Sequence, residues 1–335
     1  MANGSEVLIE ENIIVGSTVS GSSRPRTYSM ADQLFKNVTR FFAFLVLLLM
    51  AAIIVSLFMG ALPAIRKFGI GFIGSATWNP VTNVFGGLVP IVGTLVTSTI
   101  ALLIAVPVSF GIAMFLTEMC PARLKRPLGT TIELLAGIPS IIYGMWGLFV
   151  FAPVFSQHAE PWIDAHLGRL PLIGLFFSGP PIGIGIMTAG LILSIMVIPF
   201  IAAVIRDVFE VVPPLLKESA YGLGATTWEV TRYIVLPYAR VGVVGGIMLG
   251  LGRAIGETMA VTFVIGNSHS LHASLLMPGN SIASTLANEF TEAVGRIYTA
   301  SLIELGLFLF IITFIVLALA KLLLIRLSRM EGKRS

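Results

Sequence analysis

Arg253 and Glu257 lie in an apolar run of membrane length, Val241 to Ile265, and a guanidinium there can meet an oxyanion with several fixed donors. The run carries Gly242, Gly245, Gly246, Gly250, Gly252 and Gly256 around them. Gly246 and Gly250 stand one helical turn apart, and Arg253 and Glu257 continue their stripe at spacings of 3 and 4. Small residues let a second helix approach closely. A charge at the bilayer centre costs about 2.5–3.5 kcal/mol on insertion scales, so both side chains must face protein or water, and the spacing predicts that they face each other. Two readings follow. Arg253 lines an anion path and Glu257 partly neutralises it, or the pair only fixes helix register or a subunit contact.

A second constellation lies just before that run. Pro213 and Pro214 suit a helix entrance, Leu215, Leu216, Ala220 and Leu223 recur at helical spacing, and Gly222 and Gly224 offer an exit where a left-handed conformation is cheap. Thr226 with Glu229 three residues on reads as a capping box opening a second helix, which Pro237 is expected to end. Ser219 and Ala220 are small enough to admit another backbone, and Glu218 can meet a basic residue on a partner. An ordinary amphipathic connector between two spans is the plainer reading of the same pattern.

The elements that position these residues belong in a bilayer. Of 335 residues, 56% are hydrophobic and only 11% charged, against roughly a quarter charged in soluble domains; mean hydropathy is +0.94. Six runs reach spanning length: Phe41 to Leu62, Leu88 to Leu116, Ile132 to Val154, Pro181 to Ile205, Val241 to Ile265 and Leu302 to Ile325. The segments before Phe41, over 123–126, over 206–240 and after Ala320 hold 16 of the 21 lysines and arginines, so the positive-inside rule places both termini in the cytoplasm. These flanks account for the +4 formal charge, and no nucleic-acid partner is read from it.

Residues 1–30 read as a disordered cytoplasmic tail and 326–335 as a basic one. Cys120 stands alone, excluding a disulfide framework. His158, His166, His269 and His272 read as solvated loop residues, and Glu118, Glu133 and Glu304 as interfacial ones near span ends. None of the lysines follows a phosphate-binding-loop pattern, so ATP hydrolysis by that route is excluded.

From Glu218 to Pro237 the order Glu-Ser-Ala, three residues, Gly224, nine residues, Ile234-Val235-Leu236-Pro237 resembles the coupling loop of ABC-importer permeases. That pattern is Glu-Ala-Ala, three residues, Gly, nine residues, Ile, one residue, Leu-Pro, and only Ser219 departs from it. Further segments (Gly93 to Ser98, Leu124 to Gly129, Ile138 to Gly147, Lys217 to Gly222, Gly252 to Ala260, Met277 to Ser281) are similar to the phosphate-specific branch of these permeases, over a match running from about Gly86 to the carboxyl terminus.

The resemblance implies an all-α polytopic membrane protein of six transmembrane helices: a type I (MetI-like) permease domain over 88–325 preceded by one extra helix, in the bacterial inner membrane. It implies that the 217–237 loop docks a separate ATPase through Glu218, Ser219, Ala220, Gly224, Ile234, Leu236 and Pro237, and that Arg253 and Glu257 correspond to charged residues linked with transport. It also implies that the outer loop at Met277, Pro278, Gly279 and Asn280 meets a binding protein or forms an outer gate. Implied partners are a related second permease, a pair of ATPase subunits that bind ATP and Mg, an extracytoplasmic phosphate-binding protein and membrane lipid; no cofactor is expected in this chain. A permease for sulfate or molybdate, or an ATP-independent anion transporter, are the alternatives.

Overall fold

Prolines punctuate the apolar runs of this chain, and the way the helices accommodate them sets where the spans begin and end. The computed structural model describes residues 30–171 and 173–331. Among the described residues, six helices are long and apolar enough to cross a membrane: α1 (Met30–Phe68), α2 (Leu88–Met119), α4 (Ser140–His166), α5 (Ile186–Glu210), α7 (Thr227–Ile255) and α10 (Arg296–Glu331). Between them lie the amphipathic α3 (Ala122–Ala136) and α6 (Pro214–Gly222), and the short α8 (Met259–Val264) and α9 (Ile282–Glu289).

The chain divides into two compact units, 1–53 and 54–335. The described part of the first is the opening stretch of α1, and everything below concerns the second. The tail expected over 1–30 lies outside the described residues except Met30, which is already helical. Residues 326–331, expected as a tail, continue α10, and 332–335 lie outside the described residues.

Four π-helical turns, Phe115–Met119, Gly147–Phe151, Phe155–Ala159 and Thr231–Val235, each end two residues before a proline: Pro121, Pro153, Pro161 and Pro237. A proline lacks an amide proton and its ring clashes with the carbonyl four residues back. A turn bonded i to i+5 widens the helix where that clash would fall. Contrary to the expectation from sequence, Pro237 does not end its helix. It sits in the first turn of Leu236–Ile255, and α7 runs unbroken from Thr227.

Two other expected boundaries also move. The run Ile132 to Val154 is split by Gly137-Ile138-Pro139 into the end of α3 and the start of α4. The run Val241 to Ile265 is split at Gly256-Glu257-Thr258.

At the centre is α5, whose Ile192, Leu193, Met196, Val197, Ile201, Ile205 and Phe209 are buried. Small residues bring its neighbours close. Ala101, Ala105 and Ala113 of α2 are fully buried in the same cluster, and Ser109 Oγ donates to the Ile198 carbonyl at 2.9 Å. A Cβ on Gly242, Gly246 or Gly250 of α7 would come within 2.4, 2.9 and 2.5 Å of Val208, Val204 and Ile201, so this stripe is the seam between α7 and α5. A second cluster gathers Phe72, Phe85, Ile282, Tyr298, Leu302 and Leu305 beside the start of α10.

Candidate functional site

Three places in the second unit answer to the residues singled out by sequence: α6 with the start of α7, the end of α7, and the segment between α8 and α9.

Pro213 and Pro214 open α6, and a complete Schellman turn closes it. Ala225 N–H donates to the Ala220 carbonyl at 3.1 Å and Gly224 N–H to the Tyr221 carbonyl at 2.9 Å. Gly224 sits at φ +85°, with nothing within 4 Å of where a Cβ would lie, so backbone conformation rather than space selects glycine. Thr226 then caps α7: Glu229 N–H donates to its hydroxyl at 3.3 Å, and the Glu229 carboxylate accepts from the Thr226 amide at 2.8 Å. The expected helix–bend–helix is present, with the positive φ at Gly224 and not at Gly222.

Of the coupling residues, Ala220, Ile234 and Leu236 pack on the core, whereas Glu218, Ser219, Gly224 and Pro237 are exposed. Ser219 Oγ is taken up by the Leu215 carbonyl at 2.7 Å. Apart from Ala220, the apolar residues along α6 and the bend after it stay exposed: Leu215 is 71% and Leu223 90% exposed, as is Trp228 at the start of α7 at 55%. Lys217 ties the helix down, its Nζ 2.6 Å from Oε1 of Glu118 at the end of α2. Glu118 is therefore a buried partner of α6, and Glu133 pairs with Arg206 at 2.5 Å. Glu304, expected at a span end, is buried two turns into α10; its Oε2 has no partner, and it lines a cavity of about 700 Å³ with Phe58, Ile65, Leu307 and Phe308.

The pairing expected of Arg253 and Glu257 is not formed. Helix α7 stops at Ile255, so the fourth residue on no longer sits one turn above Arg253. Glu257 Oε1 instead accepts the Ala260 N–H at 3.2 Å, in the first turn of α8. The Arg253 guanidinium lies over the Phe200 ring of α5, 5.5 Å from its centroid, and its buried Nε has no hydrogen-bond partner. Its charge also reaches Tyr143 of α4. A guanidinium held by an aromatic face keeps its donors available to an oxyanion, whereas one locked to a carboxylate does not. Phe200 has no signature in the sequence, where it is one apolar residue among many.

The segment 277–280, expected as an outer loop that meets a binding protein or forms an outer gate, is folded into the bundle: Gly279 is buried and Asn280 is 2% exposed. The amino-terminal end of α5 bonds the segment's Met277 carbonyl, through Ile186 N–H at 3.3 Å, and the Leu275 carbonyl just before it, through Met187 N–H at 2.8 Å. A Cβ on Gly93 would lie 1.9 Å from the Asn280 carbonyl, so α2 needs glycine where this segment crosses it. Asn280 Oδ1 accepts from the Ser281 amide at 3.0 Å and from Ser284 Oγ at 2.6 Å. As placed, Asn280 is too buried to touch a partner.

His269 is not the solvated loop residue the sequence suggests. Its ring stacks on Trp78 at 5.2 Å, and its Nε2 lies 2.5 Å from Oε1 of Glu289.

A family model described as "Binding-protein-dependent transport system inner membrane component" matches residues 105–329. The chain is 58% identical over 92% of its length to the phosphate transport system permease protein PstC of Pasteurella multocida, covering 96% of that protein, and 54% identical over 96% of its length to PstC of Xylella fastidiosa, covering 98% of it. Among solved structures, a chain of a bacterial ABC transporter involved in the import of the acidic polysaccharide alginate superposes with a TM-score of 0.54 at 16% identity, covering 88% of this chain and 99% of that one, a likeness of fold. The chain thus belongs to the binding-protein-dependent transport inner membrane components, and within them to the PstC permeases.

Proposed function

We propose that this chain is one of two related permease subunits of an ATP-driven importer that moves inorganic phosphate across the bacterial cytoplasmic membrane. ATP and Mg are bound by a separate pair of ATPase subunits (PstB-like), the second permease is PstA-like, and an extracytoplasmic phosphate-binding protein (PstS-like) delivers the anion. The inside excess of Lys and Arg supports both termini, and with them α6, on the ATP side.

The observation that carries the reading is the order of α6. Its Schellman turn, followed by the capping box of α7, fixes it without a partner, yet its Leu215 and Leu216 stay exposed, as a docking element requires. Arg253, cradled by Phe200, supplies the charge that draws the anion through, and Glu257 sits beyond it at the helix break. The burial of Asn280 favours an outer gate over a contact surface for segment 277–280.

Deleting the chain should abolish uptake of labelled phosphate and spare that of sulfate and molybdate. Restoring it as Gly224→Val, strained at φ +85°, should return normal amounts of membrane protein that hydrolyses ATP without transport. Loss of sulfate uptake in the deletion would reassign the substrate. Transport that persists without the ATPase would remove the chain from ATP-driven import.

A further inference from the structure

Glu289, at the end of α9, gathers donors from three other parts of the fold. Its Oε2 accepts Trp78 Nε1–H and Tyr298 O–H, each at 2.7 Å, and its Oε1 meets His269 Nε2 at 2.5 Å. An ionised carboxylate only accepts, so His269 is the donor, and the approach of Asn280 Nδ2 to the same nitrogen at 3.4 Å is packing and not a second hydrogen bond. Aromatic faces wall the carboxylate in. His269 lies parallel to Trp78 (4° between planes), Phe85 meets Trp78 edge-on at 5.0 Å, and Tyr298 stacks on Phe85 at 5.0 Å.

Each donor is itself fixed. Trp78 precedes a tight turn whose Asn79 side chain accepts from the amides of Val81 and Thr82 at 2.9 and 3.2 Å, with Asn79 bridged to Val84. Tyr298 is in the first turn of α10. His269 alone rides on the segment between α8 and α9, and Ser268 N–H donates to the Gly279 carbonyl at 2.9 Å, so His269 and the 277–280 plug move together.

Besides this attachment, the plug is held by the Ile186 bond from the start of α5, by Gly279 N–H donating to the Ile265 carbonyl at 2.9 Å, and by the serines at the start of α9. Through His269, the carboxylate joins it to the turn at Trp78 and to α10 at once.

We propose that Glu289 is a positioning residue for transport: through His269 it holds segment 277–280 in its buried place, so that the plug moves with α9, α10 and the Trp78 turn and leaves its seat on α5 when the path opens. The proposal rests on the reading of that segment as a gate. A hydrogen bond to a charged group outweighs one between neutral groups, so loss of the carboxylate charge should raise exposure of the plug roughly tenfold.

The test uses the full complex with its ATPase and binding protein in lipid vesicles, with Cys120→Ser as parent and Ala283→Cys, buried beside the plug, as reporter for a membrane-impermeant maleimide. Glu289→Gln and His269→Gln should each speed labelling roughly tenfold and raise ATP hydrolysis in the absence of binding protein, with assembly unchanged and the melting temperature only slightly lowered. Trp78→Phe, which removes one donor and keeps the His269 link, should do so less. Should Glu289→Gln not assemble, His269→Gln and Trp78→Phe carry the comparison. Labelling at the parental rate in assembled His269→Gln overturns the proposal. Faster labelling with ATP hydrolysis still fully dependent on binding protein keeps the positioning role and overturns the gate reading instead.

Discussion

Arg253 and Glu289 are charged side chains of similar partial burial in one bundle, and the fold treats them in opposite ways. Glu289 is given three donors and an aromatic wall, while Arg253 is given one aromatic face and keeps a buried nitrogen without a partner. Burying a charge is costly unless it is paired and hydrogen-bonded. A satisfied charge therefore spends its interactions on the fold, and an unsatisfied one is held ready for a ligand that arrives later. The same contrast separates Lys217, paired with Glu118, from the exposed apolar residues around it on α6.

The sharpest way to break that contrast is Arg253→Gln, which keeps hydrogen-bond donors and approximate size but removes the charge. Phosphate uptake should fall roughly a hundredfold, the kinetic equivalent of a lost charge-assisted contact. The melting temperature of the complex should hold, because no carboxylate is left uncompensated and Glu257 keeps its bond to Ala260. A large loss of stability with uptake per assembled complex preserved would turn Arg253 into a structural residue.

Lys217→Met is the counterpart. Glu118 is 4% exposed, and its removal from Lys217 leaves a buried carboxylate alone. Breaking a fully buried pair costs about 3–5 kcal/mol, and the 18% exposure of Lys217 brings the expected loss to about 2 kcal/mol. Denaturation of the purified complex should show it, and Lys217→Met with Glu118→Gln should recover much of it. Stability equal to the parent in the single variant would deny that paired charges serve the fold here.

Sequence reading succeeds where the signal is local. The capping box of Thr226 and Glu229, the left-handed Gly224 and the glycine seam of α7 each depend on residues within one or two turns, and all are present. It fails where proline or distance intervenes. Hydropathy cannot see that Gly137-Ile138-Pro139 breaks a run and that a π turn carries another past Pro237. The predicted Arg253 and Glu257 pair assumes one continuous helix, which Gly256 ends. Phe200 meets Arg253 from across 53 positions and Trp78 meets Glu289 from across 211, and no periodicity encodes such contacts. Polar residues of a connecting segment look solvated until the fold shows them buried, as Asn280 is at 2% exposure.

The smallest effect concerns the other half of the contrast, the satisfied Glu289. Burial pushes its carboxyl up, but the bonds from His269, Tyr298 and Trp78 together outweigh that and hold it below its ordinary value of 4.5. A carboxyl whose pKa is lower in the folded protein binds its proton more readily once unfolded. Its contribution to stability is then fully present above the unfolded value and is lost as pH falls through the folded one. The groups around it are His269, Tyr298 and, acting on Tyr298, Glu292. Acid unfolding of the complex, followed between neutral pH and pH 3, should therefore begin at higher pH in Glu289→Gln, in which that contribution is absent throughout. The two curves should converge at the acid end, where the parental carboxyl is protonated as well. Curves that coincide over the whole range would mean that the three donors do not favour the charged form. Glu289 would then be a packed polar group, and the difference from Arg253 would lie in the arginine alone.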